Sequence, residues 1–565
     1  MSDAINPIVS EEYADLVIET EGIDLILQMF PNATINPINY LISLVNIPTT
    51  LITNKSISQI GYGAFPACFG LVSQASLEAS NITKLRNIPA LNLRGQGVLI
   101  GILDTGIDYT NPIFTYPDGT TRIVSIWDQT IQSDNPPEGF LYGTEYSREQ
   151  INMALQNENP YEIVPSKDEI GHGTMVAGIA GGNDVPESNF YGIATGAEFV
   201  VVKMKQAKDY LKKFFFIPEE AIAYQENDLS FALEYLVRVS TKISRPMAIC
   251  IAVNTSEGPH EGRGTLGSYL SLISSIPGIA CIIAVGNEGI ARRHYFGLPT
   301  VESRTDTVEL NVGENALSFT MQLWGMRPNI YSVDITSPSG EFVPRIISRF
   351  EEFKEIRFIF EKTVIYLDYQ LSESQSSDPF IMFRIKDPAP GIWKFKVYES
   401  GDTINGFHIW LPMQGFVSDN IYFVRSDPNT TILSLSANPL SLAVTAYNNA
   451  DETLYINAGR GFTKSGGIAP LIAAPGVNII GPTITKTFAE FSGTSVAAAH
   501  MTGIAVMLLE WGIVQGNLPD MSTVEMKVLM SRGAKRKPEL VYPNQEWGYG
   551  IVDIYNVFDT LRTKS

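Results

Sequence analysis

Cysteine and histidine are scarce in this chain, and an excess of positive charge is missing altogether. Only three cysteines, Cys68, Cys250 and Cys281, occur in 565 residues, an odd and sparse set that excludes a disulfide framework and suits a reducing compartment. No CxxC or Cys/His pattern has zinc-ligand spacing, so no structural zinc is expected. Cys250 and Cys281 sit in the apolar runs MAICIAV and IACIIAV, where buried, inert thiols are expected. Lys and Arg total 40 against 60 Asp and Glu, a formal net charge of −20. Such a surface repels phosphate backbones, so nucleic acid is excluded as a partner. No run approaches the ~18 apolar residues of a membrane span, and no membrane partner is expected. The first residues, MSDAINPIVSEEYADLVIETEG, are acidic where a secretory signal carries a basic start and an apolar centre. The expectation is a protein with no secretion signal that stays in the cytoplasm.

What is present is a rhythm of apolar runs. GVLIGILD (97–104), EFVVVKM (198–204), MAICIAV (247–253), GIACIIAVGN (278–287) and SLAVTAY (441–447) are nearly uninterrupted in Val, Ile, Leu and Ala. Strands covered on both faces have that character. Helical patterns begin at 172, 227 and 267 between them, so the chain reads as α/β with a doubly wound parallel sheet. Such sheets hold ligands beyond the carboxyl ends of their strands. Residues 300–438 break the rhythm with short, partly alternating, aromatic-rich segments divided by turns such as SPSG and DPAPG, which predicts an inserted all-β sandwich. Ahead of everything, YADLVIET and NYLISLVNIP read as strands with IDLILQMF as a helix between them, a small α+β unit.

Four residues stand where such a sheet does chemistry. Asp104 ends the strand GVLIGILD, His172 opens a small-residue helix in GHGTMVAGIAGG, Asn287 follows a strand in AVGNEG, and Ser495 opens a helix in SGTSVAAAH. Singly, each has an ordinary structural explanation: a turn Asp, a capping His, a turn Asn, a helix cap. Jointly they supply a nucleophilic hydroxyl, an imidazole base, a carboxylate to orient that base and an amide donor for an oxyanion.

Together these segments resemble the subtilisin-like serine peptidases, the subtilases of family S8. ILDTGID resembles the family's Asp motif, GHGTMVAGIAGG its His motif, AVGNEG its oxyanion motif and SGTSVAAAH its Ser motif, in family order. The resemblance implies Ser495 as nucleophile, His172 as general base and then acid, Asp104 as orienter, and Asn287 with the Ser495 N–H as oxyanion hole. It implies no cofactor. It makes 1–70 a self-cleaved inhibitory propeptide that sits in the active site, 71–299 and 439–565 two parts of a subtilase core, and 300–438 a jelly-roll insert. The processing site is expected within GYGAFPACFGLVSQ (61–74). The long 115–165 segment and the insert resemble the Csp group of clostridial subtilases. That resemblance implies spore association and limited proteolysis of a spore-cortex hydrolase zymogen during germination.

The chain departs from the family pattern in places. Ala499 stands before His500 where a Pro is usual, and Met175 stands where many members have a second His. CIAVNTSEGPHEGRG (250–264) replaces a Ser-Leu-Gly stretch that pairs with substrate, and backbone pairing is expected to persist. Ile113 falls where a calcium-binding carboxylate would be, so no metal is expected there, and no cage is readable around Asp118. Glu288 reads either as a determinant favouring a basic residue at the cleaved bond or as a solvated turn carboxylate. Trp324, Phe358, Phe360, Trp393 and Trp410 either fill the sandwich core or dock it to the rest. Two other functions remain open: a catalytically silent subtilase fold acting as a regulator or germination sensor, and a carbohydrate-binding sandwich.

Overall fold

The computed structural model describes residues 6–71, 80–82, 91–347 and 352–562. At its centre lies a nine-stranded sheet. Its parallel members run in the order Leu442–Asn448, Ile279–Ala284, Met247–Ile251, Leu99–Asp104, Glu198–Lys203, Ile123–Asp128. Antiparallel strands close both edges, Thr453–Leu454 at one and Thr144–Ser147 at the other, and Ile472–Pro475 pairs parallel to Leu442–Asn448.

The uninterrupted apolar runs follow from burial on both faces. Along the central strand, Ile100 and Ile102 join one hydrophobic cluster while Leu99 and Leu103 join the other. The first cluster is completed by helices His172–Gly181 and Thr494–Leu509, the second by Glu226–Lys242 and Thr265–Ser274. Each fully buried aliphatic side chain contributes roughly 1.5–3 kcal/mol relative to exposure. All three cysteines are buried and free. The segment Thr494–Val514 is long and apolar enough to cross a membrane by length and composition, contrary to the expectation of no such run, yet every residue from Thr494 to Leu509 is buried in the protein. It is the central core helix, and Thr494, Ser495, His500 and Thr502 interrupt it as an apolar run in the sequence.

The N-terminal unit is a three-stranded antiparallel sheet, Tyr13–Glu19, Ile42–Pro48 and Thr34–Pro37, with the helix Ile23–Met29 between its first two strands in sequence. It docks through Asp15, wholly buried and 2.9 Å from Lys208 Nζ.

The insert is two packed antiparallel sheets. The six-stranded sheet runs His294–Gly297, Phe407–Trp410, Phe319–Gly325, Phe380–Lys386, Val364–Gln370, Glu352–Arg357; the other has five strands from Thr305–Val312 to Ile421–Phe423. Its sheets therefore span 294–423, where the sequence suggests 300–438. Four residues, HYFG, are too short to display alternation, and the stretch after Phe423 packs back on the core through Leu433 and Leu435. The aromatics divide. Phe358 and Trp393 fill the sandwich core, Trp324 and Trp410 join the cluster shared with the main domain, and Phe360 is exposed. With Trp324, Trp393 and Trp410 all at most 3% exposed, none offers a sugar-stacking face.

Candidate active site

Parallel strands deliver their carboxyl ends to one edge, and that edge carries the site. Asp104 is the last residue of its strand and fully buried. One of its oxygens accepts the Thr105 N–H at 2.7 Å. His172 is the first residue of its helix, and its Nδ1 lies 2.8 and 2.9 Å from the two Asp104 oxygens. The approach depends on Gly173, because a Cβ there would stand 2.2 Å from the Gly106 carbonyl. On the other side of the ring, His172 Nε2 lies 3.1 Å from Ser495 Oγ. Ser495 is the second residue of the buried helix Thr494–Leu509, so its own N–H is one of the free amide donors at a helix start.

Asn287 lies on the same cleft as His172. Its Oδ1 accepts the Thr494 N–H at 3.2 Å, which fixes the amide's rotation and leaves its NH2 end as the donor. The structure thus brings Asp104, His172, Ser495 and Asn287 to one cleft. An imidazole with a hydroxyl on one nitrogen and a carboxylate on the other can take the proton from that hydroxyl, the carboxylate stabilising the imidazolium that forms.

One supporting residue escaped the sequence analysis. Asp168 is buried and accepts from Thr105 Oγ1 (2.8 Å), Gly171 N (2.7 Å), Thr174 N (2.9 Å) and Thr174 Oγ1 (2.7 Å). Thr105 Oγ1 in turn accepts the Gly173 N–H. Asp168 therefore staples the Asp104 turn to the first turn of the His172 helix. Its only sequence signal is its place four residues ahead of His172, an ordinary helix-start position.

The cleft is occupied by the chain itself. Strand Cys68–Leu71 lies between Val253–Asn254 and Tyr224–Gln225, antiparallel to both. The expected backbone pairing at 250–264 is thus made with a segment of this chain. Leu71 reaches the wall that also holds His172, Met175 and Asn287. The remainder of the expected processing region, 72–74, lies outside the described residues. Two carboxylates, Glu257 buried and Glu226 partly so, hold the incoming backbone: Glu226 accepts the Ala67 N–H at 3.1 Å and Glu257 the Cys68 N–H at 3.3 Å. Burial raises both, Glu257 to about 8.

Glu288 fits neither reading made from the sequence. It is 5% exposed, pairs with Arg293 at 2.9 Å and accepts the Gln414 N–H at 3.0 Å. It is therefore neither solvated nor directed at substrate; it ties the insert to the oxyanion loop. At the family-pattern departures, His500 Nε2 lies 2.8 Å from Ser80 Oγ, Ile113 is buried, and Asp118 binds Thr120 of its own turn. Among the described residues no group of three or more His, Cys, Asp or Glu is arranged to hold a metal ion.

Comparison with known proteins agrees with this geometry. The subtilase family model matches residues 95–309 and 416–550, on either side of most of the insert. The structure of the Clostridium perfringens CspB protease superposes with a TM-score of 0.76 and 29% identity, covering 86% of this chain and 99% of that one. Among curated proteins, the Arabidopsis thaliana subtilisin-like proteases SBT3.2 and SBT1.9 are similar. SBT3.2 is 24% identical over 62% of this chain, SBT1.9 33% identical over 18%. The matched regions span only 49% and 14% of those plant proteins' lengths. With the family model matched on both flanks of the insert and its signature residues meeting in one cleft, this chain belongs to the subtilase family.

Proposed function

We propose that the chain is a serine endopeptidase. The observation that carries this is the linked pair of contacts, 2.8 Å from Asp104 to His172 and 3.1 Å from His172 to Ser495, made by residues 68 and 323 positions apart. His172 Nε2 takes the Ser495 proton as Oγ attacks the substrate carbonyl carbon. The oxyanion accepts from Asn287 Nδ2 and the Ser495 N–H, and Asp104 stabilises the imidazolium. His172 then passes the proton to the leaving amine, and water releases the acyl group by the reverse route. A fluorophosphonate probe tests this: the wild-type chain should be labelled and Ser495→Ala should not. Absence of labelling under every condition would favour the silent regulator.

The occupied cleft supports a second part of the proposal. The chain cuts itself shortly after Leu71, and the N-terminal unit stays bound as a product. N-terminal sequencing should find a new terminus between about 70 and 80 that Ser495→Ala abolishes. The likeness to the CspB protease supports the further proposal of a spore-associated or cytoplasmic enzyme that activates a spore-cortex hydrolase precursor by limited proteolysis. Incubating the cut enzyme with that precursor should yield one product pair; indiscriminate digestion would sink the idea.

A further inference from the structure

The loop between Leu411 and Val417 of the inserted sandwich has its two ends in the sandwich core, but its middle turns away to the main domain. It follows strand Phe407–Trp410 and runs out over the cleft. Met413 and Phe416 are each 3% exposed and join the hydrophobic cluster of the main domain. A turn closes between them, Phe416 N–H to Met413 O at 3.0 Å. The loop is clamped beside Asn287. The Gln414 N–H is held by Glu288, and Arg293 bridges Glu288 to Asp419 at 2.9 and 2.8 Å.

Beneath this loop lies Gly70. A Cβ built on it would stand 3.0 Å from Met413 Cε, 3.2 Å from Met413 Sδ and 3.5 Å from Phe416. Ordinary van der Waals contact begins near 3.4 Å. The backbone does not ask for glycine here: Gly70 is a paired strand residue and is not among those with positive φ. What it uses is the missing side chain. The neighbours of Gly70 are not so restricted, since Phe69 is buried against the main domain and Leu71 faces the cleft wall.

We propose that Met413 and Phe416 form a glycine-selecting subsite, contributed by the insert, in the non-primed side of the substrate cleft. Protein segments are accepted when glycine follows the large apolar residue that takes the Phe69 position. This rests on the reading that Cys68–Leu71 lies as a substrate does. Alanine needs a shift of a few tenths of an ångström from the end of Met413. A β-branched residue needs the clamped loop to move. Met413 is thus a specificity-determining residue carried by a domain outside the one that holds the catalytic residues.

Self-cleavage of the full chain, timed after cell-free synthesis by intact mass, tests it. Gly70→Val should slow cleavage at least about tenfold, the usual consequence of misfit in a packed pocket. In a Met413→Ala background the same change should slow it by less than about threefold, because the added methyls enter the vacated space. That collapse of the ratio is a readout which simple misfolding of Gly70→Val would not produce. A peptide of residues 66–77, offered in trans with Gly or Val at that position, should show the same preference and the same relief. Equal rates for Gly and Val, or a preference untouched by Met413→Ala, overturn the subsite while leaving the peptidase intact. No cleavage together with no fluorophosphonate labelling overturns both.

Discussion

At the residue scale, the site depends on few side chains with many bonds. Asn287 makes its Oδ1 bond to Thr494 in the resting state, so its replacement by Ala removes an oriented donor and little packing. The expected result is a fall in kcat of about 10²–10³ with KM little changed, measured on a peptide substrate. Asp168 is the opposite case. Asp168→Ala leaves the amides of Ile170, Gly171 and Thr174 and the hydroxyls of Thr105 and Thr174 without this acceptor. Hydrogen bonds to a charged group contribute about 1.5–3 kcal/mol each, and a stability loss of about 3 kcal/mol or more is expected in urea denaturation. Asp168→Asn, which keeps part of the acceptor set, should recover some of it. Asp104, His172, Asn287 and Ser495 were each legible because each carries a short flanking motif. Asp168 and Glu288 were not, because an acidic residue near a glycine is common and their importance comes from partners elsewhere in the chain.

At the element scale, the sandwich is joined to the main domain by a stack of rings. His260 from the main domain lies on Trp410 with centroids 4.0 Å apart, and His294 and His408 of the insert stack on the same tryptophan. His294 Nε2 and His408 Nδ1 are 2.9 Å apart. Burial holds His260 and His294 down at about 4 and His408 well below its ordinary value, and repulsion from neighbouring rings and Lys464 adds to this for His260 and His408. The folded protein thus keeps these rings neutral while the unfolded chain protonates them near 6.5. The histidines' contribution should be flat above pH 6.5 and fall as pH drops from there towards 4, by about 1.4 kcal/mol per pH unit for each ring. Denaturation midpoints across pH 4–7 check this, and His408→Phe should reduce the slope. Glu257 works with the other sign. Held up at about 8 against an ordinary 4.5, it is protonated in the fold and ionised in the unfolded chain. Its contribution is complete below pH 4.5 and is lost as pH rises to 8. Glu257→Gln should flatten that limb.

At the scale of the whole molecule, three units meet around one strand. The N-terminal unit supplies Cys68–Leu71, the main domain the strands on either side, and the insert the loop above it. The N-terminal unit also touches the insert directly, Tyr62 accepting from Gln322 at 2.9 Å. Its anchor to the main domain is the buried Asp15–Lys208 pair. Asp15→Ala leaves a buried ammonium unpaired, a loss of about 3–5 kcal/mol. In the uncut Ser495→Ala chain, limited proteolysis should then remove the N-terminal unit ahead of the rest. The same change in a chain that had been cut should let the unit leave, visible on size exclusion.

The sequence by itself determined the sheet, since strands buried on two faces must be apolar along their whole length, and the candidate chemistry, since each reactive residue sits in its own short motif. It also set the small α+β unit and the presence of a β-rich insert. Only the tertiary structure decided which strand of the N-terminal segment fills the cleft and what covers it, why Glu288 is buried, and which tryptophans face the main domain. Those outcomes depend on pairs such as Gly70 with Met413, or Glu288 with Gln414, whose partners are far apart along the chain. No local periodicity records a contact of that kind; it exists only once three units have packed together.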